Sequence, residues 1–119
     1  MIVKKILEKI KNMQTEVVTN ANGTAVKFVD GTMICYGKLS LSNVEFASAG
    51  AIYYSAYQTI TFPASFVGNV STNISAMTGN LAWIGNIAST TSKCTYVVLH
   101  STDVKRGVNI EWQAIGRWK

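Results

Sequence analysis

Ala25-Val26-Lys27-Phe28-Val29-Asp30-Gly31-Thr32-Met33-Ile34-Cys35-Tyr36-Gly37-Lys38-Leu39 sets the reading of the whole chain. Asp30-Gly31 is a turn dipeptide, because both residues tolerate a positive φ, and the runs on either side of it follow a period of two. The stretch therefore predicts a β-hairpin. In its second arm Met33, Cys35, Gly37, Leu39 and Leu41 share one face, and Thr32, Ile34, Tyr36, Lys38 and Ser40 share the other. That second face is only partly polar. Asn22-Gly23 gives another turn signal just upstream.

Toward the C-terminus the same period continues, with strands predicted over 51–54, 57–62, 69–77, 81–88, 94–100 and 107–115. Val70, Thr72, Ile74 and Ala76 alternate, as do Tyr96, Val98 and His100, and Val108, Ile110, Trp112 and Ala114 share a face of the last strand. Short strands joined by Gly/Asn/Ser/Thr loops, with Pro63 as the one proline, predict an all-β antiparallel sandwich over residues 20–119. Several strands are apolar on both faces. A small sandwich buries only one face in its own core, so the other calls for a partner.

Toward the N-terminus the period changes. Residues 2 to about 16 read as a short α-helix within an N-terminal oligomerisation segment, 1–19. Val3, Ile6, Ile10 and Met13 form an a/d seam, with Lys and Glu on much of the opposite side. β-branched residues at both a and d favour three or four helices over two. A seam this short is marginal alone and has to work with an oligomeric body. The alternative is an amphipathic helix packed on its own domain. The body offers no helical counterpart, which favours the oligomer seam and, with the apolar second faces, points to a homo-oligomer.

The bulk figures fit this picture. At 119 residues there is room for one core, and 48% apolar against 14% charged residues is poor in charge for a solitary soluble domain. No apolar run approaches the roughly 18 residues of a membrane span, and charge interrupts Met1 to Lys9 too early for a signal peptide. Neither membrane insertion nor a secretory route is expected, and the sequons at Asn22, Asn69 and Asn73 read as chance matches. The net charge of +5 comes largely from Lys4, Lys5, Lys9 and Lys11, a solvated helix face; it is no converging basic surface, so nucleic acid is not expected as a partner. Cys35 and Cys94 fit no zinc spacing, and His100 is the single histidine, so neither metal nor cofactor is expected. Both cysteines read as buried thiols; a disulfide would require their strands to be neighbours.

Three segments carry a family resemblance. Asp30-Gly31-Thr32-Met33-Ile34-Cys35-Tyr36-Gly37 resembles an "edGTqIcyG" opening. Tyr53-Tyr54-Ser55 through Ile60-Thr61-Phe62-Pro63-Ala64-Ser65-Phe66 resembles a "yYS…vTFPaaF" middle, and Trp112-Gln113-Ala114-Ile115-Gly116-Arg117-Trp118-Lys119 resembles a "WxAIGRWK" terminus. In this order they resemble the C-terminal receptor-binding or tip domains of tail-fibre (minor structural) proteins from phages and prophages of Gram-positive bacteria. The likeness covers about residues 24–119; the octapeptide is its most specific part, and Gly68-Asn69-Val70 departs from a Pro-Val usual in the pattern. It implies a trimeric head similar to the H-type lectin fold, placed at the tip of a virion tail outside the cell. It further implies attachment to the rest of a fibre, whose shaft lies outside this sequence, and binding to host cell-wall glycan or teichoic acid. The alternative is a purely structural module that trimerises and registers a fibre without a ligand site of its own.

Saccharides are held by an aromatic face and fixed polar groups. Trp83, close to Asn80, is a stacking candidate and equally a core or subunit-contact residue. His100 opens the polar loop with Asp103, Lys105 and Arg106, read either as ligand contacts or as a solvated hairpin loop. Tyr54 and Trp118 join Val3, Ile6, Ile10 and Met13 as expected interface residues, while Trp112 reads as core. Trp118 is expected to dock on the body or a neighbour, since leaving it in water costs roughly 2 kcal/mol. No enzyme is expected: no spacing pairs two carboxylates, and no nucleophile elbow or phosphate loop is present.

Overall fold

The computed structural model describes residues 2–78 and 81–119 and, within them, all side chains except those of residues 7, 9–15 and 86. Helix α1 (Ile2–Met13) leads directly into ten strands: β1 (Gln14–Asn20), β2 (Gly23–Phe28), β3 (Thr32–Val44), β4 (Ala47–Ala49), β5 (Ile52–Tyr54), β6 (Gln58–Thr61), β7 (Ser71–Met77), β8 (Ala82–Ser89), β9 (Lys93–His100) and β10 (Arg106–Arg117). Two antiparallel sheets face each other, as the period-two pattern predicts. Sheet A runs β1-β2-β3-β10-β7. In sheet B, β8 lines one edge of β9 from 94 to 100, and β5 and β6 follow one another along its other edge, with β4 outermost beyond β5.

The predicted hairpin forms with Ala25 opposite Cys35 and Lys27 opposite Met33. Its turn is fixed chemically: the Asp30 carboxylate accepts the Thr32 N–H at 2.8 Å, and Gly31 takes φ 98°. The predicted faces also form. Met33, Cys35, Val108, Ile110, Trp112 and Ala114 are buried against Ile60, Cys94, Tyr96 and Val98 of the opposing sheet. Both cysteines are free and buried, and burial pushes the Cys35 thiol up to about 11.

One boundary differs from the sequence expectation. Residues 14–16 do not extend the helix; with β-branched Thr15, Val17, Val18 and Thr19, the segment instead starts an edge strand paired with β2. The strand β4 is also additional, three residues with no periodic signal of its own.

The three segments that carry the family resemblance meet in space. Trp118 donates its indole N–H to the Phe28 carbonyl at 2.8 Å and its backbone N–H to Gly31 at 2.9 Å. Val67 N–H donates to the Arg117 carbonyl at 2.7 Å. Phe62 lies edge-on to Phe66 and tilted on Trp112, with ring centroids 5.3 and 5.7 Å apart. The contacts of Gly31, Phe62, Phe66, Trp112, Arg117 and Trp118 thus serve the fold, while Tyr36 and Tyr54 of the same motifs face outward.

Candidate functional site

The helix comes first among the expected contact residues. Val3 and Ile6 are 61% and 52% exposed, and among the described residues α1 touches the body chiefly through β1. The seam is thus unpartnered over the part that can be seen. The side chains of Ile10 and Met13, and the whole of Asn80, lie outside the described residues.

The next group is Trp83, His100 and the loop after it. Register brings β8 and β9 together there, with Ala82 opposite His100 and Trp83 opposite Leu99. Residues directly opposite share a face and sequence neighbours do not. Trp83 consequently points outward from sheet B, about half exposed, while His100 points into the sandwich and is fully buried. Its ring leans on Phe46 with centroids 5.2 Å apart. Its Nδ1 accepts the Thr102 backbone N–H at 3.0 Å, and its Nε2 lies 3.4 Å from Thr78 Oγ1. His100 supports the loop from inside and presents nothing to a ligand.

The loop's cations are engaged locally. Lys105 Nζ lies 2.7 Å from Glu45, which holds the Glu45 carboxyl below its ordinary range and raises Lys105. Arg106 donates to Thr102 Oγ1 and to the Val104 carbonyl, both at 3.4 Å. Asp103 is exposed. Trp118, half-buried, docks on its own body, with Lys27 and Lys119 ammonium groups 5.6 and 4.9 Å from its ring.

The two outward faces differ in character. On sheet B, Tyr54, Tyr57, Gly85, Val97 and Leu99 surround a shallow apolar depression of about 380 Å³, and Trp83 shares this face through its pairing with Leu99. On sheet A, a groove of about 780 Å³ runs across four strands between two polar rows. Sequence reasoning marked Trp83 and Tyr54 on the first but missed the second, because its residues come from four strands and meet only through register. Among the described residues no three His, Cys, Asp or Glu side chains cluster as a metal site would require.

No protein-family model matches the chain, and no curated protein matches it in sequence. Solved structures do. The C-terminal part of the P. aeruginosa R1 pyocin fibre is similar at TM-score 0.61 and 18% identity, over 83% of this chain and 27% of that one. An N-truncated R1-type pyocin tail fibre is similar at TM-score 0.57 and 18% identity, over 95% of this chain and 94% of that one. An N-truncated R2-type pyocin tail fibre follows at TM-score 0.53 and 18% identity, over 86% and 37%. The chain thus spans about a quarter of the first of these, and at this identity what is shared is architecture. Its sandwich has the fold of pyocin tail-fibre C-terminal domains.

Proposed function

We propose that this chain is the tip domain of a phage or phage-like tail fibre, working as a homotrimer that attaches to a saccharide polymer on the host surface. The observation that carries the reading is the fold held in common with a pyocin tail fibre over 95% of this chain and 94% of that one. The resemblance in sequence adds Gram-positive cell-wall glycan or teichoic acid as the ligand class and an H-type-lectin-like head as its frame. The domain acts outside the cell, joined to the rest of its fibre, and performs no catalytic step.

Two features support self-assembly. The exposed Val3 and Ile6 of α1 form a stripe that a single chain leaves in water. The apolar outer face of sheet B, with Tyr54 and Trp83, is the kind of surface a second copy covers, each large side chain contributing about 1.5–3 kcal/mol when buried. Light scattering on the whole chain tests this: a trimer mass is expected, and Ile6→Glu should shift it toward monomer. A monomer across the concentration range would overturn the trimer.

For the ligand, the candidate set read from sequence is Trp83, Asn80, His100, Asp103, Lys105 and Arg106; of these, Trp83 and the loop after His100 lie at one end of sheet B, and Asn80 is outside the described residues. The engagement of Lys105 by Glu45 and the burial of His100 favour the second reading for that end, a structural module that registers the fibre without binding there. Retention on immobilised teichoic acid or lipopolysaccharide separates the two, since a purely structural module is not retained on either.

A further inference from the structure

The groove on sheet A is built differently from the apolar depression on sheet B. One wall is the row Thr24, Tyr36, Gln113 and Asn73, directly opposite one another on β2, β3, β10 and β7. The other wall is Lys38, Glu111 and Ser75, two residues further along the same strands. The row between them is Gly23, Gly37, Trp112 and Ile74. Trp112 and Ile74 turn their side chains into the core, and the glycines have none, so the floor is bare backbone. Gly37 has to be bare on the inner side too, because a Cβ there would lie 2.9 Å from Trp112 Nε1.

The lining has three properties of a saccharide cleft. Tyr36 is 49% exposed and offers a ring face on which the apolar side of a pyranose can stack. Among the described residues the side chains of Tyr36, Asn73 and Gln113 make no hydrogen bond, so a phenol and two carboxamides, donors and acceptors both, remain available for hydroxyls. Lys38 and Glu111 pair at 3.4 Å, which leaves the lining without net charge and matches a neutral ligand. The groove's volume, about 780 Å³, falls in the range of small-molecule clefts. The walls sit largely on β3 and β10, paired along most of their length, and are held in place before any ligand arrives.

We infer that this groove is the receptor subsite, taking a neutral pyranose of the host polymer with its ring on Tyr36 and its hydroxyls on Asn73 and Gln113. The inference rests on the receptor-binding reading above and moves the contact from the end of sheet B to the middle of sheet A.

The test is a titration of the 15N-labelled whole chain with methyl pyranosides of glucose, galactose, mannose, rhamnose, N-acetylglucosamine and N-acetylgalactosamine. Retention on immobilised lipopolysaccharide and teichoic acid is measured in parallel. Saturable amide shifts confined to residues 35–38, 73–75 and 111–113 are expected for at least one sugar. Tyr36→Ala should weaken that binding about tenfold, and Gln113→Ala and Asn73→Ala several-fold, with unchanged melting temperature. Shifts that map instead to Trp83 and residues 101–106 would overturn the groove and leave the receptor reading intact. Polymer retention equal in wild type and Tyr36→Ala would do the same. No sugar shift together with no retention on either polymer would overturn both.

Discussion

Ser55 completes the hydrogen bonding of Val98. Its backbone N–H donates to the Val98 carbonyl at 2.9 Å, and its Oγ accepts the Val98 N–H at 2.9 Å while donating to the Ala56 carbonyl at 2.8 Å. Val98 lies where β5 has ended and β6 has not begun, so a fully buried serine replaces the missing ladder. Ser55→Ala should leave a buried N–H unpaired and cost about 1–3 kcal/mol. Urea unfolding at neutral pH measures this; a loss of a few tenths or less would mean that the hydroxyl is dispensable.

Gly37 packs against the Trp112 indole, which in turn lies against Phe62. An alanine at position 37 would push the indole into a filled core, and the reduced freedom of the unfolded chain offsets only part of that. We expect Gly37→Ala to destabilise by about 1–3 kcal/mol. An unchanged or raised melting temperature would show that the indole has room to retreat.

Tyr96 is fully buried, and among the described residues its hydroxyl has no hydrogen-bond partner. Burial pushes its pKa from 10.0 up to about 12. The unfolded chain therefore loses this proton first, and stability present below about pH 10 falls away as pH rises toward 12. Cys35, raised from 9.0 to about 11, adds a parallel loss beginning lower. Tyr96→Phe should match or exceed wild-type stability at neutral pH, by up to about 1 kcal/mol, and should flatten the alkaline decline. Thermal melts of both proteins across the alkaline range decide it; parallel curves would rule out Tyr96 as a source of the decline.

The indole of Trp118 joins β10 to the first hairpin through the Phe28 carbonyl. That carbonyl also accepts the Gly31 N–H at 3.0 Å, so it is not orphaned when the indole N–H is removed. Trp118→Phe should cost only about 1 kcal/mol, whereas Trp118→Ala, which also loses packing against the core, should cost about 2–4. Equal losses in the two variants would mean that area contributes little there.

The parts of this fold written in local chemistry were readable from sequence. Asp30-Gly31 fixed a turn, and the alternation through Met33, Cys35 and Trp112 fixed which side of each strand faces inward. Where a choice depended on a distant partner, local pattern misled: Glu16 and Val17 continue a helical spacing, but pairing with β2 makes them strand. The candidate sites divide in the same way. Trp83 is legible because it is an aromatic residue close to polar Asn80. His100 precedes a polar loop, but the same alternation that places Tyr96 and Val98 inside carries it inside as well. The sheet A groove could not be read at all, since Thr24, Tyr36, Asn73 and Gln113 carry no joint signal until the register of four strands is set. The motifs with the strongest family likeness alternate as well: Cys35, Trp112 and Ala114 point into the core, and Tyr36 and Gln113 of the same motifs point outward into the groove.

The direct junction of α1 and β1 has a mechanical consequence. α1 ends at Met13 and β1 begins at Gln14, and the chain stretches to 63 Å along its longest axis. A pull applied through the helix enters the sandwich at the edge strand β1, whose ladder to β2 is the first to carry the load. Whatever load the helix carries therefore passes to the sandwich through one backbone junction, Met13 to Gln14, and the edge strand that follows it.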